Sequence, residues 1–195
     1  LALLRGLARR APADTAALNP IGLLERMRAQ RDIARIPLVY GYVTYAQGDR
    51  PLVFGEAPTA FPGGRRGSTI GGTGLALSAR RQVGADLLSH LRELLEPAAQ
   101  LRFIPEHAGQ PSRREAWADA EVNAASEDFY RGTLATIEDA WVRPRVDGFI
   151  AFQSASSAVL RDAVLGDADP TGALARVDEL FDALPARLPA GRTAP

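Results

Sequence analysis

The chain has 195 residues, of which 46% are hydrophobic and 24% are charged, as is ordinary for a globular protein. Its 23 basic and 23 acidic side chains give a formal net charge of +0, which argues against a nucleic-acid or anionic-membrane partner. Every basic residue is arginine, so chemistry that requires a lysine is excluded. The absence of cysteine excludes disulfides, thiolate nucleophiles and cysteine-ligated metals.

The first third of the chain combines helix signals with strand-like runs. Leucines at helical spacing predict a helix that ends before Pro12, and Asn19-Pro20 predicts the capped start of a second helix. Residues 33–45 and 52–54 are rich in aromatic and β-branched side chains, which predicts strands. We therefore expect helices and strands to be mixed in this part.

The middle of the chain contains its most unusual stretch, the glycine-rich segment from Gly67 to Ala79. We expect its end, Leu75-Ala76-Leu77, to form a short strand. A leucine-rich amphipathic helix is predicted over residues 85–95, and residues 101–104 have the composition of another strand. Strands separated by helices predict an α/β architecture.

Three further helices are predicted toward the end of the chain. One runs from Ser126, as its cap, to Trp141, and one runs from Phe149 to Leu165 with Gly166 just beyond it. Asp169-Pro170 repeats the capped start seen at Asn19-Pro20.

The glycine-rich segment does not fit a phosphate-binding loop. Gly72-Thr73-Gly74 has no third glycine at the dinucleotide spacing, and it precedes its predicted strand instead of following one. A P-loop would need a lysine, which the chain lacks. Glycine permits backbone flexibility and close approach, so the segment indicates a hinge or a place where backbone amides face a ligand.

Catalytic and metal signals are weak. A serine hydrolase would have to use Ser68 or Ser78 with His107, and the chain has no G-x-S-x-G motif. The two histidines lie far apart in sequence and the carboxylates are scattered, so we expect no metal and no other cofactor.

Aromatic residues provide a stronger binding signal. Tyr40, Tyr42 and Tyr45 cluster in one predicted strand, where Tyr40 and Tyr42 share a face. Phe152 and Gln153 follow an Arg-Pro-Arg break near a helix start. Aromatic rings stack on the apolar faces of sugars while amides and arginines bind hydroxyls, but these tyrosines and Phe152 fit a packed core equally well.

Taken in order, these features resemble the later half of a family 1 extracellular solute-binding protein of ABC transporters. No single feature is highly specific, whereas the ordered set covers nearly the whole chain. The features that carry the resemblance are Asn19-Pro20 with its helix, the run from Ile36 to Tyr45, Gly67–Ala79 with the leucine-rich helix, Gly109-Gln110-Pro111, Trp117, Val142-Arg143-Pro144-Arg145, and the helices over 149–166 and 169–184.

The resemblance implies an α/β fold of the type II periplasmic-binding-protein kind, here as a helix-rich partial two-lobe fold whose N-terminal portion is missing. Residues 1–70 would then belong to the C-terminal lobe, and residues 71–108 would return to the N-terminal lobe. Residues 109–185 would form the C-terminal lobe helices, followed by a flexible tail over 186–195.

The resemblance also implies a function. The protein would bind a solute, with a carbohydrate expected, in an interlobe cleft by hinge closure, and would deliver it to an ABC transporter permease. It would be periplasmic or extracellular, free or lipid-anchored through a missing N-terminus. It would be monomeric when intact and would not be an enzyme. The implied ligand-binding residues are Tyr42, Tyr45, Gly71, Gly72, Gln110, Arg145, Phe152 and Gln153.

Two alternatives remain open from the sequence. One is the serine hydrolase with Ser68 or Ser78 and His107. The other is a helical interaction domain that binds no small ligand.

Overall fold

The computed structural model describes residues 1–185, so the expected flexible tail over 186–195 lies outside the described residues. Helices account for 52% of the chain and strands for 2%, and no sheet forms in the described part. The α/β type II periplasmic-binding-protein prediction is therefore wrong for this structure. The chain divides into two compact units, which we call unit 1 (Leu1–Leu18 with Arg143–Pro195) and unit 2 (Asn19–Val142). The expected boundaries at residues 70/71 and 108/109 both fall inside unit 2.

The α-helices of the described residues range from a single turn to 17 residues. Short 3₁₀ turns occur at Ala13–Ala17 and Val43–Ala46, and a π-helical turn occurs at Ala99–Phe103. In chain order the α-helices are α1 (Ala2–Ala8), α2 (Pro20–Gln30), α3 (Ala85–Glu93), α4 (Ile104–Glu106), α5 (Arg114–Ala118), α6 (Ala120–Ala124), α7 (Phe129–Asp139), α8 (Phe149–Leu165) and α9 (Pro170–Asp182).

In unit 1, α8 packs against both α9 and α1. Ala163 of α8 and Ala173 of α9 are buried, and such small side chains allow close packing. The Arg5 guanidinium of α1 donates to the Ala163 carbonyl at 2.9 Å from Nε, which ties α1 to the end of α8. Unit 1 is thus a small helical assembly.

In unit 2, the core is aromatic and lies around the start of α7. Phe129 and Tyr130 are buried, with ring centroids 5.2 Å apart. Phe54 packs edge-on against Phe129, and Trp117 packs edge-on against Tyr130. Edge-to-face packing is a favourable arrangement of aromatic rings, so this cluster is the main apolar anchor of unit 2.

The helix starts predicted at Asn19-Pro20 and Asp169-Pro170, and the helix end predicted before Gly166, are confirmed. The Asn19 side chain accepts a hydrogen bond from the Gly22 N–H at 2.8 Å, and the Asp169 carboxylate accepts one from the Gly172 N–H at 2.7 Å. α8 ends at Leu165, followed by Gly166 as predicted. These signals are reliable because the residue that starts or stops the helix lies within a few residues of its end.

The strand predictions are wrong. Residues 33–42 and 52–54 are irregular, and Leu75–Leu77 lies in an exposed segment with no strand partner. Residues 101–104 are helical, in a π-helical turn that continues into α4. A strand needs a neighbour for its backbone hydrogen bonds, and the described residues form only two isolated bridges, Thr59–Arg66 and Thr69–Trp141.

The helix predicted from Ser126 begins three residues later, at Phe129. The Ser126 hydroxyl donates back to the Val122 carbonyl at 2.8 Å, so it belongs to the end of α6. Glu127 and Asp128 then take left-handed backbone conformations, with φ of 50° and 56°, which interrupts the helical path.

No helix within residues 1–185 combines the length and the apolar character that a membrane crossing requires.

Candidate functional site

Two exposed tyrosines flank a glycine that faces the core of unit 2. A Cβ on Gly41 would lie 3.2 Å from the Phe129 ring and 3.5 Å from the Phe54 ring, so this position faces inward. Tyr42 has an extended backbone and is 37% exposed, and Tyr40 is 50% exposed. The tyrosines on either side of this inward-facing glycine are therefore both open to solvent.

Gln110 is brought to this stretch from 67 positions further along the chain. Its side-chain Oε1 accepts a hydrogen bond from the backbone N–H of Val43, with an N···O distance of 3.3 Å. Val43 itself is buried, so the contact is anchored at the edge of the core. The Gln110 Nε2 group is the hydrogen-bond donor that this side chain can offer to a ligand.

The loop that carries Gln110 is fixed by side chains on both sides of that residue. The Tyr130 hydroxyl donates to the Gly109 carbonyl at 2.9 Å, and the Trp117 indole N–H donates to the Pro111 carbonyl at 2.8 Å. The buried Gln100 side chain accepts from the Ser112 N–H at 2.7 Å. Three side chains that are mostly buried therefore preorganise the loop.

Asn123 holds the framework beneath this loop. It is 1% exposed, and its Nδ2 donates to the Trp117 carbonyl at 2.9 Å and to the Asp119 carbonyl at 2.8 Å. Its Oδ1 accepts from the Arg131 N–H at 2.8 Å, so one amide joins α5, α6 and α7. Sequence reasoning missed this residue because a single asparagine carries no local signal of a long-range role.

Gly71 joins the tyrosine stretch from a third part of unit 2. A Cβ on Gly71 would lie 3.6 Å from Cε1 of the Tyr40 ring. The preceding residue, Ile70, donates from its N–H to the Trp141 carbonyl at 3.0 Å, which fixes the segment just before Gly71. Gly72 is exposed, and nothing lies within 4 Å of the position of a Cβ there.

We call the group formed by Tyr42, Gly71 and Gln110 the Tyr42–Gln110 surface. Its members come from three separate parts of the sequence. Gly71 lies beside Tyr40, and Gln110 bonds to Val43, so both approach the stretch of residues 40–43 that contains Tyr42. None of these side chains is ionised at neutral pH, so the surface offers phenol, amide and backbone groups without a formal charge.

Tyr45 lies next to this surface but has a different environment. It is 8% exposed, and its hydroxyl donates to the Glu25 carboxylate at 2.7 Å. This hydrogen bond raises the pKa of the Tyr45 phenol above its ordinary value. The Arg28 guanidinium lies 5.7 Å from the centre of the ring. The hydroxyl and the ring of Tyr45 are thus both in contact with other residues of the protein. The ring also packs edge-on against that of Tyr42, at a centroid distance of 6.5 Å.

The remaining predicted ligand residues belong to unit 1. The Phe152 ring lies 5.6 Å from both the Phe149 and the Phe181 rings, between α8 and α9. Gln153 is exposed, and its Oε1 accepts from the Arg143 guanidinium at 3.4 Å. Arg145 is also exposed. These residues are therefore not part of the cluster formed within unit 2.

The residues of the hydrolase alternative are separately engaged. The Nδ1 of His107 lies 2.7 Å from the Phe103 carbonyl oxygen, and the imidazole packs against the Phe103 ring. The Ser78 hydroxyl accepts from the Arg80 N–H at 3.3 Å, and the Ser68 carbonyl accepts from the Trp141 N–H. The side-chain contacts of Ser78 and His107 are thus both local in sequence.

Comparison of the chain with protein-family models, with curated proteins and with solved structures found no match. The contacts within unit 2 and the order of the sequence features are therefore the basis for a functional proposal.

Proposed function

We propose that this protein is a solute-binding component of an ABC importer and that it contacts a small, hydroxyl-rich solute, with a carbohydrate expected, at the Tyr42–Gln110 surface. The observation that carries the proposal is the hydrogen bond from the Val43 N–H to Gln110. It supports the proposal because it joins two predicted ligand-binding regions that are 67 positions apart.

The chemistry of the surface favours an uncharged ligand. Tyr42 supplies a hydroxyl and an aromatic face, Gln110 supplies an amide N–H pair, and Gly71 exposes backbone without a side chain. Such groups bind hydroxyls through hydrogen bonds and cover the apolar patches of a sugar. A charged solute would need an opposite charge, which these three residues do not provide.

The fixed loop supports binding in a second way. A ligand that meets preorganised groups loses less free energy to the ordering of the site. The side chains of Gln100, Trp117 and Tyr130 hold the Gln110 loop before any ligand arrives.

The permease partner and the movement of the chain are parts of the proposal that come from the family resemblance. A membrane permease would receive the solute from the loaded protein, outside the cytoplasm. The glycines from Gly71 to Gly74 would allow movement of the chain around the bound solute. The open space around Gly72 and Gly74 is compatible with such movement.

A thermal-shift titration tests the proposal. The 195-residue chain is measured with glucose, maltose, xylose and sorbitol, and with glutamate as a charged control. A ligand that binds the folded protein raises the unfolding temperature by mass action. We expect shifts with hydroxyl-rich solutes and none with glutamate.

Two matched variants locate the site in the same assay. Gln110→Ala should weaken binding by about fivefold, because one hydrogen bond to the solute contributes about 1 kcal/mol. Gln82→Ala removes an exposed glutamine that is not among the predicted ligand-binding residues and should leave the affinity unchanged. Absence of a shift with every solute would contradict the proposal and favour the helical interaction domain.

A further inference from the structure

The apolar side of α3 and of the turn that follows it consists of five leucines, which we call the leucine face: Leu87, Leu88, Leu91, Leu94 and Leu95. We infer that two copies of this chain form a weak, reversible dimer through the leucine face, with their α3 helices antiparallel and Leu91 at the centre of the contact. This inference goes beyond the proposed solute binding and does not depend on it. It differs from the monomer that the family resemblance implies.

The leucine face is largely open to solvent. Leu87 is 43% exposed, Leu88 is 37% exposed and Leu95 is 60% exposed, whereas Leu91 and Leu94 are half-buried. Within α3, every position of which the structure describes, no residue is buried. Apolar side chains that are exposed together on one side of a helix mark a surface for interaction with another molecule.

The short length of α3 also indicates that its apolar side is covered by a partner. The helix has nine residues, whereas isolated helices shorter than about 12–15 residues are only marginally stable in water. Most of the stability of a short helix in a protein comes from burial of its apolar side. A second surface that buries the leucine face would therefore stabilise α3.

The spacing of the leucines fits a second copy of the same face. Leu88 and Leu94 lie three positions to either side of Leu91, and Leu87 and Leu95 lie four positions to either side. The pattern is thus unchanged when the chain direction is reversed about Leu91. In a twofold-symmetric interface, residue i of one copy contacts residue j of the other, and residue j contacts residue i. An antiparallel pair centred on Leu91 would match Leu87 with Leu95, Leu88 with Leu94, and Leu91 with itself.

The two leucines beyond the end of α3 continue the helical path. The Leu94 N–H donates to the His90 carbonyl at 3.2 Å, and the Leu95 N–H donates to the Arg92 carbonyl at 2.9 Å. Leu94 also has helical backbone angles, with φ of −62° and ψ of −22°. All five leucines therefore belong to one side of a nearly continuous helical segment.

The charges of α3 favour a second copy over a lipid surface. With 3.6 residues per turn, Asp86, Arg92 and Glu93 lie about 100° or more around the helix from Leu91, so they leave the centre of the leucine face apolar. Helices that lie on a membrane carry a basic polar side. In α3 two acidic residues stand against one arginine, which is the opposite balance.

The size of the leucine face predicts a weak dimer. Stable protein–protein interfaces bury about 1,600 Å² in total and use about 20–30 residues from each partner. Five leucines from each copy are a much smaller set, so we expect the dimer to be reversible in solution.

Sedimentation equilibrium of the full chain tests the dimer. Between about 10 μM and 1 mM, the average mass should rise from 20.8 kDa toward twice that value. Leu87→Glu should weaken this association by more than about tenfold, because it places two carboxylates in an apolar contact. Leu174→Glu is the matched control, since it changes a 50% exposed leucine of α9 and should leave the association unchanged.

Disulfide formation tests the antiparallel arrangement, because the chain has no cysteine of its own. Packed helices lie about 8–10 Å apart, which brings facing Cα atoms to within about 7 Å, as a disulfide requires. Leu91→Cys should therefore form a disulfide-linked dimer in oxidised glutathione. In Leu87→Cys and in Leu95→Cys, the two thiols of a dimer would lie about 12 Å apart along the helix axis. Each of these variants should stay unlinked alone, whereas a mixture of the two should cross-link.

Each outcome supports or overturns the dimer. A mass that stays at 20.8 kDa up to about 1 mM would overturn it, as would association that Leu87→Glu leaves unchanged. Cross-linking of Leu87→Cys alone as fast as that of Leu91→Cys would overturn the antiparallel arrangement. If the chain stays monomeric but co-sediments with phosphatidylcholine vesicles, and Leu87→Glu abolishes this binding, the leucine face contacts lipid and the dimer is wrong.

Discussion

The hydroxyl of Tyr130 donates a hydrogen bond of 2.9 Å to the carbonyl of Gly109, so a residue of the buried core directly supports the loop that carries Gln110. The Tyr130 ring also packs against Trp117, which binds the same loop at Pro111. The stability of the core and the geometry of the proposed ligand surface are therefore coupled through one side chain.

Tyr130→Phe tests this coupling. The ring packing is retained, whereas the hydrogen bond to Gly109 is lost, so we expect the free energy of unfolding to fall by about 1 kcal/mol. Urea denaturation measures this change. We also expect faster amide hydrogen exchange at Gly109 and Gln110, because the loop loses one of its supports.

Tyr45→Phe is the matched control for this variant. It also removes one phenolic hydroxyl, but that hydroxyl bonds to Glu25 and not to the loop. Equal effects of the two variants on exchange at Gln110 would contradict a specific role for Tyr130.

A second prediction concerns alkaline pH. Burial raises the pKa of Tyr130 to about 12, whereas a phenol in the unfolded chain titrates near 10. Between these values the unfolded state has lost a proton that the folded state retains. The Tyr130 contribution to stability is thus complete below about pH 10 and is lost as the pH rises toward 12.

The composition makes this measurement unusually direct. The chain contains no lysine or cysteine and four tyrosines, so few other groups titrate in this range. Ultraviolet absorbance of phenolate should include a step near pH 12 that is absent in Tyr130→Phe. The unfolding midpoint of that variant should also decline less steeply above pH 10. A phenolate titration of the folded chain that Tyr130→Phe leaves unchanged near pH 12 would contradict the prediction.

A third prediction concerns the close approach at Gly109. A Cβ there would lie 2.7 Å from Cγ2 of Ile104 and 3.0 Å from its carbonyl oxygen. Gly109→Ala should therefore lower the free energy of unfolding by about 1–3 kcal/mol and displace the adjacent Gln110. Gly55→Ala places the same methyl group where nothing lies within 4 Å and should change stability by less than about 0.5 kcal/mol. If both variants lost a similar amount of free energy of unfolding, the contact with Ile104 would not be the cause of the loss in Gly109→Ala.

A fourth prediction concerns the expected hinge. A Cβ on Gly72 would meet nothing within 4 Å, so Gly72→Val should fold with nearly unchanged stability. Valine restricts the backbone, however, and should weaken solute binding if residues 71–74 must move. Gly55→Val is the control outside this segment. Unchanged solute affinity in Gly72→Val, measured by calorimetry, would exclude the hinge role.

The sequence predicts helices well and strands poorly in this chain, for a physical reason. The caps at Asn19 and Asp169 satisfy helix N–H groups within three residues, so the sequence contains both partners. The run at residues 33–45 has strand composition, but a strand also requires a distant partner, and none pairs with it in the described residues. Residues 101–104 form an apolar run too short to distinguish a strand from a helix by periodicity.

The candidate surface could be predicted only in part. The family resemblance predicts Tyr42, Gly71 and Gln110 as ligand residues, and Gly71 and Gln110 both approach the stretch of residues 40–43. The approach of Tyr40 to Gly71 joins positions 31 apart in sequence and has no periodic signal. Tyr130 likewise supports the loop that carries Gln110 through a long-range hydrogen bond to Gly109, which no sequence pattern indicates.

The most direct test of solute binding at the Tyr42–Gln110 surface is an amide chemical-shift titration of the full chain with glucose. We expect the largest changes at Tyr40, Tyr42, Val43, Gly71 and Gln110. The same titration of Gln110→Ala should require about fivefold more glucose for an equal change. Changes confined to residues 143–185, or no changes at all at saturating glucose, would contradict the proposed site.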